Sequence, residues 1–420
     1  MTCIDTKTPA ALLREYEQEL LQQIIPFWTR HGIDREHGGL LSGLDRDGSL
    51  IDTDKAVWLQ GRAAWTFATL HDTVERNGEW LDASARCLQF IRKHCRSETG
   101  KLYFQVTREG RPLRMRRYFF SEAFAAMGGA VYAKAAGDQR AADEAVDYFK
   151  NYLRSLKPGG LAPKIEPQTR PVQGVASQMM LIVIAQELRA ALGDVTVDGD
   201  TCSGWIGQAV DTIGRVFYKP ELSALMEIVA ADGSVIDHFD GRTLNPGHAI
   251  ECAWFILHEA RHRKDERMAR LGLSILDCMW ARGWDGEFGG LFSYTDLKGL
   301  PVQEYNADMK FWWPHNEAEI ATLLAWRMTR DPKYAGWHRQ VRAWSRKVFA
   351  DPVHGEWFGY AHRDGAISTR LKGNMWKGPF HIPRMLLYCA RLMRETVNET
   401  DSNIPKHHAA HPACSSETPA

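Results

Sequence analysis

The sequence predicts an all-α protein built from repeated pairs of helices. Eight segments place apolar residues at three- and four-residue spacing, which indicates helices with a buried face. Between them lie short glycine-rich segments with acidic and aromatic residues, which recur roughly every 55–75 residues. These segments centre on Gly38, Gly100, Gly159, Gly233, Gly289 and Gly355. Two helices of ordinary length and a hairpin loop occupy about that much chain, so the repeated unit is helix, loop, helix.

Six such units can close into a ring with an inner and an outer layer of helices. We therefore expect an (α/α)6 toroid, or barrel, with short β-hairpin loops around one central funnel, the natural ligand site. An open helical solenoid is the alternative, and closure is favoured because about 390 ordered residues match six units and no more. No linker divides the chain, so we expect one domain over residues 1–395. The polar tail over residues 396–420 is expected to be disordered.

Composition and charge exclude several classes of partner. The 52 basic and 52 acidic side chains balance to a net charge of zero, which argues against a nucleic-acid or membrane surface. No apolar run approaches the ~18–20 residues of a membrane span, and no signal peptide is visible, so a cytoplasmic location is expected. The eight cysteines form no CxxC or CxxH cluster, which argues against a disulfide scaffold.

Fifteen tryptophans are an unusual number, and nine of them lie in or beside the loops. Aromatic rings stack on the apolar faces of sugars, so a cluster around the funnel favours a carbohydrate ligand. The alternative is that a large helical ring needs bulky side chains as filler. Trp313 and Trp376 are the preferred candidates for substrate contact because of the residues around them.

Arg62 follows Gly61 in the segment VWLQGRAAW, at the expected opening of a helix. A fixed positive charge there could hold an oxyanion or a carbonyl oxygen. A surface ion pair is the usual role of a lone arginine, but the neighbouring Trp58 and Trp65 weaken that interpretation.

His248 lies in LNPGHAIECAW, directly after a Pro-Gly break. Glu251 follows three positions later, on the same helical face, where a carboxylate could orient the imidazole and raise its basicity. The structural alternative is a helix cap formed by Asn245, and both can hold together, with His248 facing the funnel.

The segment MKFWWPHNEAEIA combines an aromatic pair with proline, histidine and glutamate at a helix start. Acids in a first turn are favoured by the helix dipole, which is the structural explanation of Glu317 and Glu319. The unusual combination nevertheless predicts that Glu317 contacts the substrate, with His315 as a second candidate.

His381 lies in RLKGNMWKGPFHIPR, where an irregular segment runs into a helix. Its ordinary pKa of ~6.5 allows either protonation state near neutrality, which suits proton transfer. Lys372, Trp376 and Lys377 are close in sequence, and Trp376 and Lys377 are taken as substrate-binding candidates. Zinc is a minority alternative for the histidines at 248, 315 and 381 with Glu251, but no HxH or HExxH pattern is present, so no metal is expected.

Together these segments resemble the N-acylglucosamine 2-epimerase family, also known as renin-binding proteins. The resemblance rests on DREHGG with VWLQGR, GRTLNPGHAIECAWF, GWDGEFGGLF, KFWWPHNEAEI, DPVHGEWFGY and KGNMWKGPFHIPR, in the family's order over residues 27–390. It implies an (α/α)6 barrel, a homodimer, and interconversion of N-acetyl-D-glucosamine with N-acetyl-D-mannosamine. It also implies ATP as an allosteric activator that is not consumed, although no segment is assigned to the nucleotide.

The implied chemistry is removal of the C2 proton of an open-chain sugar to an enediolate, and reprotonation on the opposite face. Inversion needs a proton donor on each side, so His248 and His381 are assigned as the two acid/base groups. His381 is placed on the N-acetylglucosamine-forming side, Arg62 would steady the charge on O1, and Glu251 would tune His248. Glu317 would hold sugar hydroxyls or help to open the ring.

Three alternatives stay open at this point. Cellobiose 2-epimerases and mannose isomerases share the barrel and the two histidines. A glycoside hydrolase or lyase on the same toroid would need two carboxylates ~5–9.5 Å apart, for which Glu251 and Glu317 are available. A protein that binds sugars or proteins without catalysis is the third.

Overall fold

The computed structural model describes residues 7–115, 119–157 and 159–402, and over these residues the fold is mainly helical. The helices are α1 Pro9–Gln18, α2 Ile25–His31, α3 Val57–Thr73, α4 Gly78–His94, α5 Phe120–Ala136, α6 Gln139–Leu156, α7 Val175–Leu192, α8 Cys202–Thr212, α9 Phe239–Arg242, α10 Pro246–Arg263, α11 Glu266–Gly283, α12 Trp312–Thr329, α13 Pro332–Phe349 and α14 His381–Ser402. A π-helical segment, Glu19–Ile24, joins α1 to α2, and another, Ile213–Phe217, continues α8. The predicted tail begins inside α14, and its residues 403–420 lie outside the described part of the chain.

The helices form two concentric layers. The inner ring consists of α3, α5, α7, α10, α12 and α14, which pack against one another in that order. Each outer helix packs on its inner partner: α4 on α3, α6 on α5, α8 on α7, α11 on α10, α13 on α12 and α1 on α14. The ring closes where Thr66 Oγ1 of α3 donates to the Pro379 carbonyl oxygen at 2.6 Å, just before α14. The predicted (α/α)6 toroid is confirmed, and the open solenoid is excluded.

Burial separates the two layers. The inner helix α12 buries 14 of its 18 residues, since it contacts both neighbours, its outer partner and the funnel. Its outer partner α13 buries seven of 18, the single stripe expected of an amphipathic surface helix. A Cβ added at Gly61 would lie 2.4 Å from the backbone of Phe124, so glycine permits the close approach of α3 and α5.

The helix α7 is long and apolar enough to cross a membrane, contrary to the expectation that no such segment exists. It packs against α5, α8 and α10 within the ring, and more than half of it is buried there. These contacts account for its apolar character as that of a core helix.

Short strands lie within the loops and pair with one another. They are β1 Gly43–Leu44, β2 Leu50–Asp52, β3 Lys55–Ala56, β4 Gln105–Val106, β5 Pro112–Arg114, β6 Val172–Gly174, β7 Thr196–Val197, β8 Asp200–Thr201, β9 Tyr218–Lys219, β10 Ala224–Leu225, β11 Ile228–Ala230, β12 Thr243–Leu244, β13 Thr295–Asp296, β14 Lys310–Phe311 and β15 Tyr360–Ala361. All pairings are antiparallel, and β1–β2 and β4–β5 are local hairpins as predicted. In contrast, β6 pairs with β11, β12 with β13 and β14 with β15, so these loops are fastened to other loops. Strands of two or three residues add little stability on their own, so the packed helices must hold all of these pairs in place.

Three of the glycine-rich loops each form a buried aspartate–lysine ion pair of the same kind. The pairs are Asp34–Lys55 at 2.8 Å, Asp285–Lys310 at 3.1 Å and Asp351–Lys372 at 3.0 Å, with every side chain at most 1% exposed. Each aspartate also accepts from an arginine of another loop: Arg108, Arg363 and Arg46, respectively. The sequence repeat therefore carries a structural element that ties the loops together. Lys372, noted beside His381 in the sequence, belongs to this element.

Candidate active site

A cavity of about 710 Å³ lies in the funnel and is lined by all six inner helices and by the segments that precede α5, α10, α12 and α14. Of the predicted site residues, six line it: Arg62, His248, Glu251, Trp313, Trp376 and His381. The side chains of Glu317, His315 and Lys377 are fully buried behind its wall. The structure thus brings the two predicted histidines, over a hundred residues apart in the chain, into one cavity.

His248 lies in the first turn of α10. Asn245 caps this helix, because its Oδ1 accepts the backbone N–H of His248 at 3.0 Å, and the imidazole faces the cavity as expected. The Nδ1 atom lies 3.0 and 3.1 Å from the two carboxylate oxygens of Glu227. With Nδ1–H donating to Glu227, the Nε2 atom is left for proton exchange.

The pKa of His248 is raised. Burial favours the neutral imidazole, but the charge and hydrogen bond of Glu227, with a smaller contribution from Glu251, outweigh burial. His248 is therefore suited to be the proton donor near neutral pH.

Glu251 does not orient His248 as predicted, although its charge does help to raise the pKa of that histidine. Glu251 instead accepts a short hydrogen bond from Arg384, on the side of the other histidine. The residue that holds His248 is Glu227, which sequence reasoning missed because the contact is long-range. Its only sequence signal is its position as the acid that opens the glycine-rich segment EIVAADGSVID.

His381 is the first residue of α14, and its Nδ1 lies 2.8 Å from Glu317 Oε1. The other carboxylate oxygen of Glu317 accepts from Arg384 at 2.7 Å and from Trp254 Nε1 at 2.8 Å. Glu317 is thus fully engaged and 0% exposed, so its predicted contact with substrate is not supported. It orients the imidazole, so that Nδ1–H donates and Nε2 carries the free lone pair.

The pKa of His381 is lowered well below its ordinary value. Burial is the largest cause, and the positive charges of Arg62 and Arg384 add to it. His381 is therefore neutral near pH 7 and suited to be the base, the opposite of His248.

Arg62 lies in the second turn of α3, and not at the helix opening as predicted, because the helix begins at Val57. Its guanidinium is enclosed by the rings of Trp58, Phe124 and Phe380, at 4.5, 4.2 and 5.0 Å from their centroids. Its buried Nε has no hydrogen-bond partner among the described residues. Burial lowers the pKa of Arg62 to about 9, so it remains a cation at neutral pH with donor capacity for a ligand oxygen.

The two predicted tryptophans lie in different parts of the cavity. The Trp313 ring lies 5.2 Å from the imidazole of His248 and 6.0 Å from that of His381, so it stands beside both. Trp376 is 47% exposed and packs edge-on against Trp58 at 5.4 Å, which places an aromatic face near the entrance.

His315 and Lys377 have structural contacts instead of substrate contacts. His315 Nδ1–H donates to the Phe311 carbonyl oxygen at 2.6 Å, and its Nε2 accepts the backbone N–H of Leu291 at 2.8 Å. Burial lowers the pKa of His315 to about 3. The Lys377 ammonium donates to Glu356 at 2.6 Å, and neither side chain is more than 1% exposed. These contacts argue against both predictions, because a buried polar residue with its hydrogen bonds satisfied resembles a ligand-binding residue in sequence.

A metal ion does not fit the acidic part of the cavity. Ligand atoms of Glu251, Glu317 and His381 lie within 4.8 Å of one another. However, the guanidinium of Arg384 hydrogen-bonds both carboxylates and supplies the positive charge that a metal would bring. His315, the further histidine in the zinc alternative, is engaged outside this group.

A closed helical ring whose funnel holds two imidazoles, one with a raised and one with a lowered pKa, is the arrangement expected of a sugar-isomerising (α/α)6-barrel enzyme. Comparison with known proteins agrees, because the sequence model of the N-acylglucosamine 2-epimerase (GlcNAc 2-epimerase) family matches residues 38–382. The chain belongs to this family.

Individual relatives extend over most of the chain. The N-acylglucosamine 2-epimerase of Bos taurus is 34% identical over 392 residues, which cover 90% of both proteins. That of Rattus norvegicus is 35% identical over 385 residues, covering 89% of this chain and 90% of its own. Among solved structures, a cellobiose 2-epimerase from Bacillus thermoamylovorans superposes with a TM-score of 0.78 at 18% identity, covering 92% of this chain and 100% of its own. That likeness concerns the fold alone.

Proposed function

We propose that this protein is an N-acyl-D-glucosamine 2-epimerase that interconverts N-acetyl-D-glucosamine and N-acetyl-D-mannosamine. The observation that carries the proposal is the pair of imidazoles in one cavity, each held through Nδ1 by a different carboxylate. Relatives about a third identical over nine-tenths of the chain bear this enzyme name, which supports the choice of sugar.

The reaction needs one proton removed from C2 and one returned to its opposite face. In the open-chain sugar, C2–H lies beside the C1 aldehyde, so His381 Nε2 can accept the proton as the C2–H electrons move into the C1–C2 bond. The aldehyde oxygen O1 takes the negative charge of the resulting enolate. His248 Nε2–H then delivers a proton to C2 from the other side, the C1=O bond re-forms, and the configuration is inverted. With N-acetylmannosamine as substrate, this order puts His248 on the N-acetylglucosamine-forming side, the reverse of the assignment made from the sequence.

Arg62 is the group available to stabilise the enolate. It is a buried cation with no carboxylate within hydrogen-bonding distance among the residues that the structure describes, unlike Arg384, which is paired with both Glu251 and Glu317. A preorganised, buried charge stabilises a developing oxyanion more strongly than the same charge at the surface.

Glycoside hydrolysis on this barrel is disfavoured by the same contacts. A hydrolase needs two carboxyl groups free to reach either side of a glycosidic bond. In this protein Glu251 and Glu317 share the single guanidinium of Arg384, and Glu317 is fully buried.

The test is to incubate the protein with N-acetylmannosamine in D₂O and follow the C2 proton by NMR. We expect N-acetylglucosamine to accumulate with deuterium at C2, whereas N-acetylmannosamine recovered early in the reaction retains its proton. Cellobiose and mannose, run in parallel, separate the related epimerase and isomerase activities. An unchanged spectrum for all the sugars would refute the proposal and favour a binding protein, and release of new reducing ends from a glycoside would favour a hydrolase.

We also propose that ATP activates the enzyme without being consumed, as the family resemblance implies. The sugar cavity does not suit a triphosphate, since Arg384, one of its two arginines, is already paired with two carboxylates. ATP would therefore bind elsewhere on the chain. Activation by a non-hydrolysable ATP analogue, without phosphate release from ATP, is the expected result, and a requirement for hydrolysis would contradict it.

The remaining proposals concern the state of the protein in the cell. We propose a cytoplasmic homodimer with no nucleic-acid or membrane partner. Light scattering of the purified protein should give twice the chain mass, and cell fractionation should leave the protein in the soluble fraction without added salt. A monomer, or a protein that sediments with membranes, would contradict this.

A further inference from the structure

The catalytic cavity has two walls of different chemistry. One consists of Phe124 on α5 with Met179, Met180 and Val183 on α7, none of them more than 4% exposed. The rest of the lining, which forms the other wall, mixes aromatic rings with side chains that can hydrogen-bond hydroxyls: Asn245, Ser293, Asn306, Ser368 and Asn374. A ligand that fits both walls must have an apolar end and a hydroxyl-rich end.

The apolar wall is continuous with the catalytic groups. Met180 and Val183 are three residues apart and Met179 and Val183 are four apart, so α7 presents them on one face. Phe124 extends this wall towards α3, because its ring centroid lies 4.2 Å from the Arg62 guanidinium. The apolar region therefore begins next to the position where O1 would be held.

This arrangement constrains how an epimerase substrate can lie, and the reasoning rests on the function proposed above. In the planar enolate, C2 has three substituents in one plane: C1 with O1, C3 with the hydroxylated chain, and the acylated nitrogen. The two imidazoles take the two faces of that plane, and Arg62 takes O1. The hydroxylated chain and the acyl group must then lie against the two walls, one against each.

Chemical complementarity decides between the two placements. Hydroxyl groups buried against methionine and valine would lose their hydrogen bonds, which costs free energy. The acyl methyl is the one apolar group of the sugar, and burying it against apolar side chains is favourable. We propose that Met179, Met180 and Val183, with Phe124, form the pocket for the N-acyl group and set the length of acyl chain that the enzyme accepts.

The residue types indicate how selective this pocket is. Methionine is unbranched and flexible, so it adapts its shape to ligands of different size. The protein should therefore epimerise N-propanoylmannosamine as well as the N-acetyl sugar, and removing a methionine side chain should extend the range to N-butanoylmannosamine.

The experiment is an internal competition. Wild-type protein and the Met180→Ala variant are each given an equal mixture of N-acetyl- and N-butanoylmannosamine in D₂O, and deuterium at C2 of each sugar is measured by mass spectrometry. The ratio of the two rates is independent of the amount of folded enzyme, so partial loss of stability in the variant does not affect it. We expect the ratio to rise about tenfold in favour of the butanoyl sugar, the effect of accommodating about two buried methylene groups.

A matched control is Met309→Ala, because Met309 also lines the cavity but lies outside α7, immediately before β14. Its ratio should equal that of the wild type, whereas Val183→Ile, which narrows the pocket, should shift the ratio towards the acetyl sugar. If the wild type is active and Met180→Ala gives the same ratio as the wild type, the proposed acyl pocket is refuted but the proposed function is not. A wild type inactive on both sugars would instead overturn the proposed function.

Discussion

Replacing Glu227 by glutamine tests why the pKa of His248 is raised whereas that of His381 is lowered. The substitution keeps the size of the side chain and an oxygen that can accept from His248 Nδ1, but it removes the negative charge. The charge and the hydrogen bond of Glu227 are what raise the pKa of His248 against the effect of burial. The pKa of His248 should consequently fall in the variant.

The sign of the effect on activity follows from the two protonation states. The active form has His381 neutral and His248 protonated, so activity is lost in acid when His381 is protonated and in alkali when His248 loses its proton. A charged hydrogen bond stabilises by about 1.5–3 kcal/mol and a neutral one by about 0.5–1.5 kcal/mol. The midpoints of these ranges differ by about 1.25 kcal/mol, close to the ~1.36 kcal/mol of one pKa unit. We therefore expect the pKa that ends the alkaline limb to fall by about one unit in Glu227→Gln. On the alkaline side of that limb kcat/KM should fall about tenfold, with a smaller change on its acid side.

The assay is the pH dependence of kcat/KM for epimerisation of N-acetylmannosamine between pH 5 and 9. The alkaline limb should move to lower pH and the acid limb should stay in place. Glu304→Gln provides a matched control, since Glu304 is an exposed acid in a neighbouring loop, and its profile should equal that of the wild type. An unchanged alkaline limb in Glu227→Gln, or a shift confined to the acid limb, would refute the assignment of His248 as the proton donor.

Three further predictions concern the other groups of the site. His248→Ala and His381→Ala should each lower kcat by about 10²–10⁴-fold with an unchanged circular dichroism spectrum; full turnover by either variant would contradict the two-histidine mechanism. Lys377→Met should leave KM unchanged but lower the free energy of unfolding in urea by about 3–5 kcal/mol, because it leaves Glu356 buried without its cation. A raised KM at unchanged stability would instead show that Lys377 contacts the substrate. Dialysis against EDTA should leave activity unchanged because Arg384 occupies the acidic cluster, and activity lost to EDTA and restored by a divalent cation would disprove this.

The ring of helices was predictable from the sequence because its signals are local and repeated. Apolar spacing identifies helices, and recurring glycine segments mark the loops, so the number of units follows from the length of the chain. Pairing between loops was not predictable. The strands β6 and β11 lie over fifty residues apart, and nothing local in two or three residues specifies that partner.

The site was predictable to the extent that residue type reveals it. His248 and His381 stand beside breaks in the helical pattern and Arg62 stands between two tryptophans, and the structure places all three in one cavity. Their carboxylate partners were assigned wrongly or missed, since ion pairing depends on which inner helices become neighbours. Glu251, three residues from His248, points to Arg384, whereas Glu227 approaches His248 from a separate loop.

The opposite pKa shifts of the histidines have a common explanation in what each carboxylate contacts. Both imidazoles lie at the start of an inner helix, where the helix dipole disfavours a positive charge. The carboxylate of Glu227 lies within 3.1 Å of His248 Nδ1 through both oxygens, so its charge is available to offset burial and dipole together. The carboxylate of Glu317 is shared with Arg384, whose positive charge lowers the pKa of His381 further. Burial and the positive charges of Arg62 and Arg384 thus make a base of one of two otherwise similar histidine–carboxylate pairs. The reaction, which needs unlike groups on the two faces of C2, depends on that difference.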